Sequence, residues 1–460
     1  MPDTRSFLTK HEVAAWPAAC APPEGERDNS LAIAMARHGL NTPAQAAGTY
    51  WQIGCVSLEV TQRCNLDCTL CYLSDAAEGY ADPSLETLFR RIDRIYDHYG
   101  PGTNIQVSGG DPTLRPLADL VSIVEYISSR GMNAALFTNG IRASRHMLTT
   151  LAKAGLRDVA FHVDMTQERR GYENECELNS IRADYIERAR GLGIRILFNT
   201  TVFDGNRHEI AELTDWVAEH ADDVHLASFQ LQAETGRGVL GAHDGGLTVR
   251  SVRDAVAIGL GTGDPFGLPE MGHPDCNQYA SLMVAGSRRR VLMQDKELYT
   301  RLFSAARGFG FHDRLGRWAV ATKALRFFLA KPGLSFALAK NMTGHLLALL
   351  PAFLKGARRI HKLTIYIHNF MDETKLEKAR CESCIFMVAS EAGPISMCVH
   401  NAKRDAMLAG GNHAAASSAE ALPPKHMKGR LRRAHFSPRH RMVKGTDNIK
   451  PEIAATKHLG

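Results

Sequence analysis

The sequence lacks the features that would place it in or across a membrane. Residues 1–15 mix charged and polar side chains and have no apolar core of a secretory signal. The segment from Trp318 to Leu363 is rich in Leu, Ala and Phe, but its longest uncharged run, Asn341 to Leu354, is too short to span a bilayer. We therefore expect a cytoplasmic protein in a reducing environment, where clustered thiols act as metal ligands or catalysts.

Isolated cysteines are few. Of the 10 cysteines, those without a partner at ligand spacing are Cys20, Cys55 and Cys176. Such residues are usually small buried hydrophobes. The apolar fraction of 44% is ordinary for a globular chain, and a length of 460 residues suggests two to three domains.

Three of the other cysteines, Cys64, Cys68 and Cys71, are separated by three and by two residues. Thiolates this close together suit a metal cluster better than disulfides, and three ligands leave one corner of a four-iron cluster open. An open iron can bind and reduce a substrate or cofactor, which indicates redox chemistry. The alternatives are a zinc site or three unrelated buried cysteines, although zinc usually takes four ligands and favours paired Cys-x2-Cys halves.

A second group of cysteines lies downstream and consists of Cys276, Cys381, Cys384 and Cys398. Four thiolates would complete either a tetrahedral zinc site or a fully ligated iron–sulfur cubane. A fully ligated cubane has no open iron, so it would relay electrons or orient the structure. The histidines that could replace one of the thiols are His273, His368 and His400.

Short β-prone runs alternate with longer helical patterns between residues 51 and 232. The predicted strands are 53–60, 104–107, 134–138, 158–163, 195–202 and 224–232, and the predicted helices are 84–99, 116–130, 144–154, 181–192 and 208–220. Helices of this length between strands imply parallel pairing through right-handed crossovers. We therefore predict an α/β fold whose six βα units form a partial barrel, with the active site at the carboxyl ends of the strands.

Polar groups follow the predicted strands where this active site should lie. They are Gly109, Gly110 and Asp111 after the second strand, Thr138 and Asn139 after the third, His162 and Asp164 at the end of the fourth, and Asn199 on the fifth. Glycines let the backbone approach a ligand closely, and polar side chains at a barrel mouth bind ligands. We expect His162 and Asp164 to contact the substrate or take a proton; the alternative is a structural hydrogen-bonding role.

The spacing of the first three cysteines, with Tyr72 directly after them, resembles the signature of the radical S-adenosylmethionine (SAM) enzymes. The resemblance implies that the thiolates hold a [4Fe-4S] cluster whose fourth iron binds the methionine part of SAM. The run from Gly109 to Pro112 is similar to the Gly-Gly-Glu-Pro motif of the family, with aspartate in place of glutamate. The residues expected to bind SAM are Tyr72, Gly109, Gly110, Asp111, Thr138, Asn139 and Asn199.

Further runs resemble one branch of that family, which includes archaeal tetraether lipid synthase and an enzyme assigned to pterin methylation. The runs are residues 107–115, 138–142, 229–237, 273–276, 368–372 and 397–401, and the resemblance covers roughly residues 51–405. It implies that Cys276, Cys384 and Cys398 bind an auxiliary [4Fe-4S] cluster, and we expect Cys381 to be its fourth ligand. Larger members carry further cysteine-rich segments before the core, and this chain has only two cysteines there, so their mechanism does not transfer whole.

The chain is predicted to consist of an N-terminal extension (1–50), the core barrel (51–235), a C-terminal auxiliary-cluster domain (236–410) and a basic disordered tail (411–460). An apolar, cationic insert (318–363) is broken by Pro332 and Pro351, which predicts two amphipathic helices that lie in a membrane interface or pack on the core. Much of the net charge of +6 lies in the tail, which could meet anionic lipid, nucleic acid or no partner.

The resemblance implies that a 5′-deoxyadenosyl radical abstracts hydrogen from an unactivated carbon. We expect a lipid or isoprenoid chain as substrate, for C–C coupling or a related modification, at a peripheral position on the inner membrane face. The alternatives are a peptide or soluble heterocycle, including methyl transfer, and a non-catalytic metal protein that binds nucleic acid. The glycine motif argues against the last alternative, so no nucleic acid is expected, and reduced flavodoxin or ferredoxin is the expected electron donor.

Overall fold

The computed structural model describes residues 6–16, 30–240, 246–307 and 317–410. The predicted basic tail and Cys20 lie outside these residues. The described N-terminal residues form α1 (Lys10–Ala15) and α2 (Ser30–Arg37). They pack on the C-terminal part of the chain: the Leu8 amide donates to the Leu376 carbonyl at 2.8 Å.

The predicted α/β core is confirmed, and its strands and helices lie within a few residues of their predicted bounds. The strands are β1 (Cys55–Thr61), β2 (Asn104–Gly109), β3 (Asn133–Thr138), β4 (Leu156–His162), β5 (Arg195–Val202) and β6 (Val224–Leu231). The helices are α3 (Leu85–Tyr99), α4 (Leu117–Ser129), α5 (Arg145–Lys153), α6 (Asn179–Ala189) and α7 (Ile210–Glu219).

Side-chain alternation along each strand separates a helix-covered core from an inner face. On β5, Ile196 and Phe198 join the main apolar core, whereas Leu197 and Asn199 line the inner cavity. Successive strand residues point to opposite faces, so both faces of these parallel strands are buried. Two of the core helices begin at a capping serine: the Ser84 hydroxyl accepts a hydrogen bond from Thr87 N at the start of α3, and the Ser144 hydroxyl accepts one from Met147 N at the start of α5.

The C-terminal half contributes five more strands among the described residues. In chain order its elements are α8 (Val249–Leu260), β7 (Asn277–Ala285), β8 (Arg288–Val291), α9 (Lys296–Ala305), α10 (Arg317–Leu329), α11 (Pro332–Leu354), β9 (His361–Asn369), α12 (Lys378–Glu382), β10 (Phe386–Ser390), β11 (Gly393–Ser396), α13 (Met397–Ala402) and α14 (Arg404–Gly410).

These strands extend the core sheet on both edges. The order is β11-β10-β1-β2-β3-β4-β5-β6-β9-β7-β8, and β10 and β9 pair in parallel with β1 and β6. The sequence boundary predicted at residue 235 is therefore not a break in the sheet. Parallel strands expose hydrogen-bonding edges, and the C-terminal strands cover those of the six-strand core.

The apolar insert folds differently from its prediction in two details. Pro332 starts α11 as expected, but Pro351 lies within the last turns of that helix instead of breaking it. Leu363, the predicted end of the insert, belongs to β9. Pro351 has no N–H to donate to the Leu347 carbonyl four residues earlier, and this loss falls in the last turns of the helix. Among the described residues, no helix is both long and apolar enough to cross a membrane.

Candidate functional site

The first three predicted ligands lie together on the loop that follows β1. We call residues 62–76 the cysteine loop. Burial raises the pKa of all three thiols, to about 11 for Cys64, and Cys68 lies close enough to Cys64 and Cys71 for their charges to raise its pKa further. These thiols stay protonated at neutral pH unless a cation compensates the thiolate charge, as a metal centre does.

The predicted glycine motif packs backbone against backbone with the cysteine loop. Gly110 N donates to the Thr61 carbonyl and Asp111 N to the Arg63 carbonyl, both at 2.8 Å. A Cβ on Gly109 would stand 2.0 Å from the Thr61 oxygen, and one on Gly110 would stand 2.0 Å from the Arg63 oxygen. No side chain fits there, so the motif fixes the path of the cysteine loop.

Replacing Gly110 with alanine is expected to lower the free energy of unfolding by about 1–3 kcal/mol, because the added methyl overpacks a backbone contact. The measurement is denaturant unfolding of the two proteins side by side. Gly79→Ala is the matched control, since nothing lies within 4 Å of its added Cβ. Equal stability of Gly110→Ala and the unaltered protein would contradict the close packing.

The predicted cofactor residues Asp111 and Thr138 join β2 to β3 and do not line the cavity. Asp111 is fully buried, and its carboxylate accepts hydrogen bonds from Thr138 Oγ1 at 2.8 Å, Asn139 N at 2.8 Å and Thr113 N at 2.9 Å. The Asn139 side chain continues outward and donates to Asn65 Oδ1 at 2.7 Å. Asp111 therefore positions the strand ends, and Asn139 reaches the cysteine loop.

His162 lines the cavity, whereas Asp164 is buried behind it. The Asp164 carboxylate lies 2.6 Å from His162 Nε2 and accepts from Thr201 N at 2.8 Å and Thr166 N at 3.0 Å. Burial would raise the pKa of Asp164, but the charge of His162 and these hydrogen bonds lower it to about 2. Asp164 is thus an ionised group that orients His162.

A buried ion pair between Arg404 and Glu59, which the sequence did not predict, packs against Tyr72 of the cysteine loop. Arg404 Nη1 lies 2.7 Å from both carboxylate oxygens of Glu59, and both side chains are at least 95% buried. The guanidinium stands 4.8 Å over the ring of Tyr72, whose hydroxyl donates to the Gly109 carbonyl. A glutamate inside an otherwise apolar strand was the available signal, because buried carboxylates need a partner.

The segment after β6 covers the cysteine loop from the opposite side. Gly238 N donates to the Cys71 carbonyl at 3.1 Å, and a Cβ on Gly236 would stand 2.3 Å from the Tyr72 oxygen. The Arg237 side chain is 6% exposed and pairs with Asp67 at 3.3 Å. The part of this glycine-rich stretch at 241–245 lies outside the described residues.

A cavity of ≈ 370 Å³ extends from the cysteine loop into the sheet. Leu70 and Tyr72 line it at the loop. Its wall also includes residues from β1 to β6, β9 and β10, among them Ser57, Gln106, Phe137, His162, Asn199, Ser228, His368 and Phe386. Because strands so far apart in the sheet share one cavity, the sheet curves around it as a partial barrel.

Aromatic rings form one wall of this cavity. His368 stacks on Tyr366 at 4.9 Å between centroids and meets Phe386 edge-on at 4.4 Å. Phe370 lies parallel to His368 at 5.9 Å. Burial lowers the pKa of His368 to about 3, so this imidazole is neutral at physiological pH. The wall is therefore an uncharged aromatic surface.

Two hydroxyls in the cavity wall have no partner in the described part of the chain. Ser228 Oγ and Thr235 Oγ1 are buried and make no hydrogen bond. A third polar group in the wall is the Asn199 side chain. Its amide oxygen accepts a long hydrogen bond of 3.3 Å from Gln230 Nε2. Buried hydroxyls without a partner are rare, so these atoms mark where a polar ligand could bind.

The second group of cysteines also converges. Burial raises the pKa of the thiols, to about 11 for Cys276, and Cys381 is close enough to Cys276, Cys384 and Cys398 for their charges to act on it. Arg380 Nε, which sequence reasoning missed, donates to Cys276 Sγ at 3.1 Å. The predicted alternatives His273, His368 and His400 are not needed to assemble four thiols, because all four lie together.

The residues around the cysteine loop fit a cluster with a bound organic cofactor. Across the described ranges, no three His, Cys, Asp or Glu side chains are close enough to hold a single metal ion. A four-iron cluster is larger than one ion and is ligated by thiolates that stand farther apart. The cysteine loop supplies three neighbouring thiols for such a cluster. The adjoining glycine backbone and the unpartnered cavity hydroxyls offer contacts for the organic cofactor.

Comparison with known sequences identifies the same region. Residues 58–217 match the sequence model of the Radical SAM superfamily. A 7,8-dihydro-6-hydroxymethylpterin dimethyltransferase from Methanocaldococcus jannaschii is 30% identical over 39% of this chain and 37% of its own length. A GTP 3′,8-cyclase from Marinobacter nauticus is 29% identical over 44% of this chain and 61% of its own length.

A third relative, Fe-coproporphyrin III synthase from Methanosarcina barkeri, is 29% identical over 39% of this chain and 44% of its own length. The chain thus spans less than two thirds of each of these curated relatives. Among solved structures, Streptococcus suis SuiB bound to precursor peptide SuiA is 15% identical, with a TM-score of 0.33, over 44% of this chain and 42% of that one.

Proposed function

We propose that this chain, whose residues 58–217 match the Radical SAM superfamily, cleaves SAM reductively and directs the resulting radical to a substrate in the barrel cavity. The observation that carries this proposal is the cavity of ≈ 370 Å³, which begins at Tyr72 on the cysteine loop and continues along the inner faces of the strands. When bound, the cluster and SAM supply a 5′-deoxyadenosyl radical that abstracts hydrogen from carbon.

The residues of the cysteine loop and its neighbours hold the reactants in this proposal. Cys64, Cys68 and Cys71 ligate the cluster, and the backbone of Gly109 and Gly110 shapes the adjoining SAM site. The unpartnered hydroxyls of Ser228 and Thr235 and the amide of Asn199 offer polar contacts inside the cavity. The covering segment from Gly236 to Gly238 excludes water from the loop side, which protects a reactive intermediate.

His162 supplies an oriented polar group at the cavity wall. Its Nε2 faces the ionised Asp164 carboxylate at 2.6 Å and donates to it, which fixes the orientation of the ring. The oriented ring binds a polar group of SAM or substrate. We propose this role in place of direct substrate contact by Asp164, because both Asp164 oxygens already accept hydrogen bonds from the protein.

We propose a lipid or isoprenoid chain as the substrate. Part of the cavity wall is apolar and suits a hydrocarbon, through Phe137, Leu197 and Leu226. The branch motifs resemble those of tetraether lipid synthase, and the surface helices α10 and α11 expose apolar side chains. These features support the lipid over a purely polar substrate.

The aromatic wall favours a second candidate, a planar heterocycle. Tyr366, His368 and Phe386 offer neutral rings on which such a substrate stacks. Two of the relatives are named for reactions on a pterin and on GTP, which are compounds of this class. Methyl transfer or cyclisation would then be the reaction type.

Profiling of lipids and of soluble metabolites in a deletion strain distinguishes the two substrates. The lipid proposal predicts that one lipid species disappears and its unmodified precursor accumulates. Complementation with the unaltered gene restores the species, and complementation with the Cys68→Ala gene does not. An unchanged lipid profile combined with a changed pterin or nucleotide pool would favour the heterocycle.

We also propose that Cys276, Cys381, Cys384 and Cys398 bind an auxiliary [4Fe-4S] cluster. The burial of the four thiols and the Arg380–Cys276 hydrogen bond support this, because donors to cluster sulfur stabilise the charged ligands. Electrons would come from a reduced carrier such as flavodoxin or ferredoxin.

Anaerobic reconstitution is expected to give about eight irons per chain, four for each cubane. Cys398→Ala should reduce the count to about four while 5′-deoxyadenosine formation persists in some measure, since the SAM cluster keeps its ligands. Iron and acid-labile sulfide analysis provides the measurement, and Cys176→Ala is the control. About four irons in the unaltered protein would remove the auxiliary cluster.

A further inference from the structure

Helix α11 is apolar over most of its surface, although only one side is buried. Its inner face packs on the protein through Leu334, Leu349 and Ala352. On the outer face, Phe336 is 73% exposed and Leu347 is 63% exposed. A helix with an apolar surface all round is normally covered all round.

The exposed apolar residues of α11 form a stripe along one side of the helix. Leu347, Leu350 and Leu354 follow one another at intervals of three or four residues, and Phe336 lies on the same side, with Lys340 and Thr343 in between. That spacing places them on one side of the helix. The stripe is therefore a surface and not a set of scattered exposed residues.

Helix α10 adds to the same kind of surface. Trp318 is 87% exposed, Leu325 is 59% exposed and Leu329 is 71% exposed. The two helices are joined by Ala330 and Lys331 only, so they form a hairpin, residues 317–354. Exposed tryptophan and leucine are typical of helices that lie in a membrane interface.

The charge of the hairpin has one sign. No Asp or Glu occurs between Asp313 and Asp372. The cationic residues within and just after the hairpin are Arg317, Lys323, Arg326, Lys331, Lys340, Lys355, Arg358 and Arg359. Cations beside an apolar face complement the phosphates of anionic lipids.

We infer that the α10–α11 hairpin binds the interface of an anionic lipid bilayer, with the Phe336–Leu354 stripe among the headgroups and upper acyl chains. The interface takes up the apolar side chains, and the lipid phosphates lie beside the cations. A second copy of the chain would place two cationic surfaces against each other, which disfavours it as the occupant. The inference is independent of the radical chemistry, since the hairpin contributes no residue to the cavity.

Flotation of the full-length protein with vesicles tests the inference. The protein should float with vesicles of phosphatidylcholine and phosphatidylglycerol, and much less with phosphatidylcholine alone. The double variant Leu347→Glu/Leu350→Glu should bind at least about tenfold more weakly, because two apolar side chains no longer enter the interface. Ile258→Glu is the matched control, since Ile258 is 73% exposed on α8, outside the hairpin.

Two outcomes would overturn the inference. If the double variant binds anionic vesicles as well as the unaltered protein, the attraction comes from elsewhere, such as the basic tail, which both proteins retain. If the protein binds no vesicles and the double variant converts a dimer to a monomer in analytical ultracentrifugation, the occupant is a second copy. Formation of 5′-deoxyadenosine by the double variant should equal that of the unaltered protein, which separates this test from that of the proposed function.

Discussion

Replacing Cys68 with alanine is expected to reduce 5′-deoxyadenosine formation from SAM to the level of an enzyme-free control. The thiol lies between Cys64 and Cys71 on the cysteine loop, and its loss would leave two thiols for the proposed cluster. Two thiolates do not hold a four-iron cluster with one open corner. Anaerobic incubation with a reductant, followed by chromatography of the nucleoside, provides the measurement.

The control for this experiment is Cys176→Ala, because Cys176 belongs to neither cysteine group. That variant should retain nucleoside formation. The unfolding midpoint of metal-free Cys68→Ala should lie close to that of the metal-free unaltered protein, since the thiol packs in a loop. Sustained nucleoside formation by Cys68→Ala would remove the cysteine loop from the chemistry.

Replacing Arg404 with alanine is expected to destabilise the fold by about 3–5 kcal/mol, because it leaves the buried Glu59 carboxylate without its countercharge. The two groups lie 2.7 Å apart with almost no solvent contact. Denaturant unfolding at neutral pH gives the loss. Arg190→Ala is the control, since Arg190 is 48% exposed in its surface pairs and should change stability by no more than about 1 kcal/mol.

The pH dependence of this loss identifies its cause. Burial would raise the pKa of Glu59, but Arg404 lowers it to about 2, below the ordinary 4.5. In the unaltered protein the pair therefore stabilises fully above about pH 4.5 and less as pH falls toward 2. In Arg404→Ala the uncompensated burial raises the Glu59 pKa, so acid stabilises the variant by protonating the carboxyl group.

The stability gap between the two proteins should therefore narrow as pH falls from 7 toward 5. A gap that is independent of pH would mean that lost packing, and not an unpaired charge, causes the destabilisation. The double variant Glu59→Gln/Arg404→Met should recover part of the loss, because neither remaining group needs a countercharge.

The sequence predicted the fold best where neighbouring elements pair with each other. Each of β1 to β5 combines a short β-prone run with a crossover helix, and each pairs with the next strand in the chain. The local hydrophobic periodicity, together with Gly and Pro residues at the ends of the elements, is enough to define such units. The same logic placed the cysteine loop, His162 and Asn199 at one end of the sheet.

Long-range pairings were not predictable in this way. β10 pairs with β1 although hundreds of residues separate them, and β9 pairs with β6 across a long insertion. No local sequence pattern encodes either choice of partner. The contact of Arg404 with Glu59, 345 residues apart, is of the same kind. The roles of Asp111 and Asp164 also required the structure, because a strand-end carboxylate looks the same in sequence whether it faces a ligand or a neighbouring backbone.

The pairing of β1 with β10 has a consequence for the order of synthesis. On the ribosome, β1 emerges more than 300 residues before the strand that covers its free edge, since Cys55 pairs with Phe386. Until then that edge is open to other strands, and Glu59 has no cation to neutralise it. Nascent chains that end before Arg404 should therefore aggregate or be degraded, and completion of the C-terminal helices is what releases a stable barrel.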